Sequence, residues 1–231
     1  MIPIGALRNR GGAQDIEPLL ADPPSLSFRV DDFSFQLPEA AAPDDAAPER
    51  AVEPEPVRVE WRHATSVGLQ FSGRLVDGTQ LPVEGPDWVT WNPVTDTVPN
   101  RSNRLYGHER TIRKILSVIA AYRAAQADAP RVVVGDISFR DGGRMDQHVS
   151  HQNGLDVDVY YPRRDRDLSA PRATGQIDRE LAQDLLDRFV AAGARTVFVG
   201  YRTGLRGASG VVVPYPNHED HMHVRFPLPP A

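Results

Sequence analysis

Five of the seven histidines fall in two short segments, HVSHQNGLDVDVY from His148 to Tyr160 and HEDHMHVRF from His218 to Phe226. Imidazole nitrogens and carboxylate oxygens are the donor atoms that hold a divalent cation and the groups that move protons near neutral pH. In Leu155-Asp-Val-Asp-Val159 acidic and apolar residues alternate with a period of two, the pattern of a strand with one buried face. Asp156 and Asp158 therefore point one way, and Leu155, Val157 and Val159 the other. Gly154 permits a sharp entry into this strand, so a loop can fold the His151 imidazole back over the Asp158 carboxylate. His221-Met-His-Val-Arg-Phe226 alternates in the same manner and places His221, His223 and Arg225 on one face.

If the two strands are neighbours, His151, Asp158 and His223 can meet at one metal ion. Three nitrogen and oxygen ligands leave a fourth position for water, as in a catalytic rather than a structural zinc site, where the pKa of water falls to about 7. Taken singly, each residue has an ordinary role open to it, as a core histidine or a solvent-facing aspartate. Their clustering on two strands in phase favours the metal site. The chain has no cysteine, which removes disulfides, thiolate metal sites and a cysteine nucleophile.

The segments GHERTIRKIL, VVVGDISFRDGG, HVSHQNGLDVDVYY and DHMHVRF resemble the penicillin-insensitive murein endopeptidases. These belong to a wider group of zinc peptidases that includes lysostaphin-type and D-alanyl-D-alanine-cleaving enzymes. The likeness runs from about Asn103 to Phe226, and its motifs H-x-S-H-Q-x-G-L-D-V-D and H-x-x-H-M-H are long and correctly ordered. The resemblance implies Zn2+ on His151, Asp158 and His223, with His148, His218 and His221 lining the site. It also implies hydrolysis of D-alanyl to meso-diaminopimelyl cross-links in peptidoglycan, and hence a periplasmic or cell-wall location with cross-linked stem peptides as partner.

Within that reading His221 is the first choice of general base, because it shares a strand face with His223. Related D-alanyl-D-alanine dipeptidases carry a glutamate three residues before the last ligand. Asp220 stands there in this chain, and strand phase turns it to the opposite face. His148 and His218 are expected to orient the attacking water or stabilise the tetrahedral intermediate. In the glycine-rich loop before His148, Arg144 or Arg140 is expected to hold a stem-peptide carboxylate in a bidentate pair, the alternative being a solvated loop arginine.

The elements that must position these groups are legible from periodicity. Ile112, Ile115, Leu116, Ile119 and Tyr122 predict a helix, Arg131 to Asp136 a buried strand, and Ile177 to Phe189 a second helix closed by Gly193. Thr196 to Gly200 and Val211 to Val213 read as further strands. Asp77-Gly78 predicts a two-residue hairpin, and Pro86 to Arg104, with Trp88 and Trp91, an aromatic-bearing loop whose tryptophans either wall a groove or pack in the core. The resulting fold class is α+β, a mainly antiparallel sheet carrying the metal site and flanked by helices.

Residues 1–56 carry eleven acidic and four basic side chains and nine of the 21 prolines, so they read as an acidic arm, partly disordered, before a zinc peptidase domain over 57–231. Within the arm, SLSFRVDDFSFQL (Ser25 to Leu37) alternates as a docking strand would. With this arm removed the remaining charge is close to zero, which leaves no basic footprint for nucleic acid. No apolar run is long enough to span a membrane. The opening MIPIGALRNRGG is too short an apolar stretch for a secretory signal, so the expectation is a mature form, a truncated chain or another export route. Two rival readings use the same residues. A non-haem iron oxygenase uses two histidines and a carboxylate, but its usual His-x-Asp pair is missing. A non-catalytic wall-binding module would keep a metal only for folding.

Overall fold

The computed structural model describes residues 57–228. The acidic arm and its expected docking strand lie outside them. In chain order the elements are β1 (Thr65–Leu69), β2 (Ser72–Val76), β3 (Thr79–Gln80), β4 (Glu84–Gly85), β5 (Trp88–Thr90), β6 (Tyr106–Gly107) and α1 (Glu109–Ala125). There follow β7 (Val132–Val134), β8 (Asp156–Tyr160), α2 (Arg179–Ala191), β9 (Thr196–Val199), β10 (Val212–Pro214) and β11 (His221–Arg225).

The principal sheet has seven strands in the order β10-β9-β11-β8-β7-β5-β4. Only the β10/β9 and β7/β5 pairs are parallel, so the expected α+β class with a mainly antiparallel sheet is what forms. The central strand is β8, and all five of its residues are buried. This corrects the reading of a strand with one buried face, since both faces are: Val157 and Val159 enter the main core, while the alternate face is closed over Asp156 and Asp158 by the histidine loop.

Both helices contribute to that core. In α1, Ile112, Ile115, Val118, Ile119 and Tyr122 are buried at three- and four-residue steps, and the His108 ring accepts from the Arg110 amide as N-cap. In α2, Ala182, Leu185, Leu186 and Phe189 are buried, Asp178 caps the start through the Leu181 amide, and Gly193 at φ 85° follows the end. Ile177, expected in the second helix, lies just before its cap and is still fully buried. Each such aliphatic side chain contributes roughly 1.5–3 kcal/mol by leaving water, and together they fix the sheet from behind.

Two local expectations are corrected. Asp77 does adopt a left-handed turn conformation (φ 53°), but β2 and β3 do not pair with each other. β2 pairs back to β1, and β3 pairs with β6, so Asp77-Gly78 redirects the chain between two small sheets. The segment from Pro86 is also not purely loop: Trp88–Thr90 is β5, inside the sheet. Trp88 and Trp91 are both buried, which settles them as packing residues rather than groove walls.

Candidate metal centre

The two histidine segments meet because β8 and β11 are antiparallel neighbours. Their register sets His223 opposite Asp158, His221 opposite Tyr160 and Arg225 opposite Asp156. His151 approaches from the loop ahead of β8 with a left-handed backbone (φ 65°), a conformation that costs a non-glycine residue energy and persists only where surroundings enforce it. Its side chain is fully buried.

His151 Nδ1 lies 2.9 Å from the Ile137 carbonyl, which can only accept, so the Nε2 lone pair is left to face inward. That Nε2 is 3.3 Å from Asp158 Oδ1 and 3.1 Å from His223 Nδ1, and the third edge, His223 Nδ1 to Asp158 Oδ1, is 3.1 Å. Three tetrahedral ligands each 2.0–2.1 Å from a zinc ion stand roughly 3.3–3.4 Å apart, so this triangle has the size of one face of such a site. Asp158 Oδ1 is buried and makes no hydrogen bond among the described residues, as expected of an atom whose natural partner is a cation. His148 belongs to an overlapping group, in which donor atoms of His148, His151 and Asp158 all lie within 4.8 Å of one another. The residues present therefore fit a divalent metal.

The other histidines repeat one device. His148 Nε2 donates to Asp136 Oδ2 at 2.8 Å, His221 Nδ1 to Asp220 Oδ1 at 2.7 Å, and His218 Nδ1 to the Pro216 carbonyl at 2.7 Å. Each ring is thereby oriented with its second nitrogen available. His148 Nδ1 and His221 Nε2 both come within 3.7 Å of Asp158 oxygens. The strand-phase argument that turned Asp220 away fails because β11 begins at His221; Asp220 precedes it, and its carboxylate returns to the neighbouring imidazole.

Behind these groups are carboxylates that the sequence reading did not assign. Asp136 is fully buried and accepts from Arg104 Nε at 2.8 Å, Arg104 Nη2 at 2.6 Å, Asn100 at 2.8 Å and His148. Burial alone would raise its pKa, but those hydrogen bonds prevail and hold it at about 2. Asp156 accepts from Arg225 at 2.9 and 3.1 Å and from the His151 amide at 3.2 Å, and lies 3.4 Å from His223 Nε2. Its only sequence cue was its place in the alternation with Asp158. Asp136 was read only as the end of a buried strand, inside the segment VVVGDISFRDGG.

The same competition runs through the centre. Burial opposes ionisation of Asp156 and Asp158, yet neighbouring histidines, joined by Arg225 at Asp156, keep both far below the usual carboxylate range. Burial lowers the His223 pKa, but Asp156 and Asp158 outweigh it and lift the group to about 9; His221 is raised against burial by Asp158 and Asp220. His218, with burial and the nearby His221 acting together, falls to about 4. Ionised carboxylates among imidazoles make an environment that attracts positive charge.

The site opens into a cleft of about 520 Å³ that includes His148, Asp158, His218, His221 and His223, with Phe71, Val149, Tyr160, Phe198 and Tyr215 among its walls. All six expected metal and catalytic residues are thus gathered, five on the cleft and His151 buried beneath it. Arg144 and Arg140 are not brought there: both are exposed, and Arg140 lines a separate recess with Arg58, Arg62 and Tyr106.

A family model described as penicillin-insensitive murein endopeptidase matches residues 66–188, which takes in His148, His151 and Asp158. Among curated relatives, the penicillin-insensitive murein endopeptidase of Haemophilus influenzae is 31% identical over 106 residues, 46% of this chain and 34% of that protein. Those of Salmonella arizonae and Salmonella paratyphi B are each 30% identical over 129 residues, 54% of this chain and 41% of theirs. This chain spans between 34% and 41% of the length of these relatives. The matched region covers more than half of the chain and takes in the histidine loop, and the chain belongs to the penicillin-insensitive murein endopeptidase family.

Proposed function

We propose that residues 57–231 form a zinc-dependent peptidase domain that hydrolyses peptide cross-links of peptidoglycan, of the D-alanyl to meso-diaminopimelyl type, in the periplasm or cell wall. The observation that carries this reading is the triangle of His151 Nε2, Asp158 Oδ1 and His223 Nδ1, with edges of 3.1 to 3.3 Å, at the floor of an open cleft. Those three residues would hold the ion. Zinc bound there supplies Lewis acidity and makes water easier to deprotonate near neutral pH.

The chain's own groups then divide the remaining work. His221, anchored by Asp220, turns Nε2 to the cleft and accepts the proton of the attacking water. His148, anchored by Asp136, faces the same space and, as the imidazolium, donates from Nδ1 to the scissile carbonyl oxygen as charge develops there. His218, held by the Pro216 carbonyl, offers a lone pair at the rim and orients the water. Protonation of the leaving amine completes hydrolysis, and the proton taken by His221 is available for it. Among the described residues no helix is long and apolar enough to cross a membrane.

The test is digestion of purified cross-linked muropeptides by the zinc-loaded chain beside His151→Ala, read by mass spectrometry. Conversion of dimers to monomers by the parent alone is expected. Intact dimers with a full zinc complement would overturn the reading and leave a metal-stabilised wall-binding module, which sacculus binding would then reveal.

A further inference from the structure

Next to the metal cleft lies a second recess, of about 600 Å³, lined by Asp96, Arg172, Thr174, Arg202 and Glu219 together with Asn217 and Asp220. Asn217 and Asp220 also line the cleft that holds His221 and His223, so the two cavities meet along that segment. A substrate extended away from the metal on this side enters the recess.

Most charges in the recess are already engaged. Arg172 pairs with Asp96, and Asp220 is bound to His221. Arg202 is different: its Nε is 3.7 Å from Glu219 Oε1, beyond hydrogen-bond range, and its guanidinium makes no hydrogen bond among the described residues. A planar group with five donors and no acceptor is suited to a bidentate pair with a carboxylate supplied from outside.

The arginine is also carried on a rigid support. It follows β9 in the turn Gly200 to Thr203, where the buried Thr203 hydroxyl donates to the Gly200 carbonyl at 2.9 Å. A Cβ on Gly200 would stand 2.6 Å from the His218 carbonyl oxygen and 2.8 Å from Glu219 Cα, so this turn is packed directly on the backbone that carries His218. The Tyr161 hydroxyl donates to the same carbonyl at 3.1 Å. The base of Arg202 is therefore fixed relative to the site histidines, and its side chain, 79% exposed, lines the recess from the surface.

We propose that Arg202 is a specificity-determining residue that anchors a free carboxylate of the substrate in this recess, one peptide arm away from the scissile amide. The assignment rests on the peptidase reading above and gives to Arg202 the part that sequence assigned to Arg144 or Arg140. Glu219 is the built-in competitor: its carboxylate approaches Arg202 without satisfying it and yields to a ligand that makes the full bidentate pair.

The experiment measures steady-state cleavage by the zinc-loaded full chain, using muropeptide dimers with free stem-peptide carboxylates and the same dimers amidated there. Arg202→Ala is expected to raise KM about tenfold on the free-acid dimer while kcat stays within about twofold, the size expected for loss of one charge-assisted pair. On the amidated dimer it should match the parent. Arg202→Lys should recover part of the loss, and Glu219→Gln should lower KM on the free acid alone. Equal KM for Arg202→Ala and parent on both dimers overturns the proposal while cleavage by the parent upholds the peptidase. If the parent cleaves neither dimer, the peptidase reading fails, and calorimetric binding of the two dimers to the full chain decides: Arg202-dependent preference for the free acid supports the carboxylate site, and its absence removes it.

Discussion

His223 faces Asp158 directly across the β8–β11 ladder, with Nδ1 3.1 Å from Oδ1, and His151 closes the triangle from a loop 72 positions away in the chain. In the proposed zinc site each of the three supplies one ligand. His223→Ala and Asp158→Ala are each expected to lower zinc affinity by more than ~100-fold, since removing a ligand should exceed the 10- to 100-fold effect of losing a supporting hydrogen bond. Equilibrium dialysis followed by metal analysis reads this. Full zinc retention in either variant would move the metal to another ligand set, with His148 the first alternative.

Asp156 is predicted to act through His223 and His151 rather than on substrate. It lies 3.4 Å from His223 Nε2, accepts from the His151 amide at 3.2 Å and is held in place by Arg225. Asp156→Asn keeps the shape but weakens the field that orients His223, so zinc affinity should fall about 10- to 100-fold with the far-UV spectrum unchanged. Chelator competition measures it. An unaltered zinc affinity would reduce Asp156 to a partner for Arg225 alone.

For His221 the expected signature is loss of turnover without loss of metal. Its Nδ1 is committed to Asp220, leaving Nε2 to take a proton. General base catalysis contributes typically about 10²- to 10⁴-fold, so His221→Ala should lose that much in kcat and remain zinc-loaded. Asp220→Asn, which only releases the ring, should cost less, about tenfold. A near-normal kcat in His221→Ala would transfer the role to another group on the cleft.

How far the sequence carried this picture depended on the range of the interaction. Helical periodicity found α1 and α2, and two-residue alternation found β8 and β11, because those signals are local. Their adjacency, on which the site depends, was a hypothesis from the residue types and became visible only in the register of His223 with Asp158. The Asp77-Gly78 signal correctly marked a turn but could not say which strand β3 would pair with, a choice made by Tyr106 some 26 residues later. The role of Asp136 was not legible because its partners lie on two distant segments, Asn100 with Arg104 and His148, that only the fold brings together. Arg202 escaped for the same reason: only the fold lays its turn on the backbone of His218.

Asp136 also gives the fold a predictable response to acid. Its pKa is held at about 2 in the folded chain by Arg104, His148 and Asn100 against burial, and lies near 3.9 when unfolded. A carboxylate with a depressed folded pKa contributes stability that is complete above the unfolded value and lost as pH falls through the folded one. The difference corresponds to on the order of 2 kcal/mol, withdrawn between about pH 5 and pH 2. Urea denaturation of the zinc-free chain over that interval should show the loss, and Asp136→Asn, though less stable at pH 7 because the Arg104 charge is left buried, should show a shallower dependence. Parallel curves for the two proteins would mean that protonation of Asp136 is not linked to folding, and that Asp156 and Asp158 carry the acid sensitivity instead.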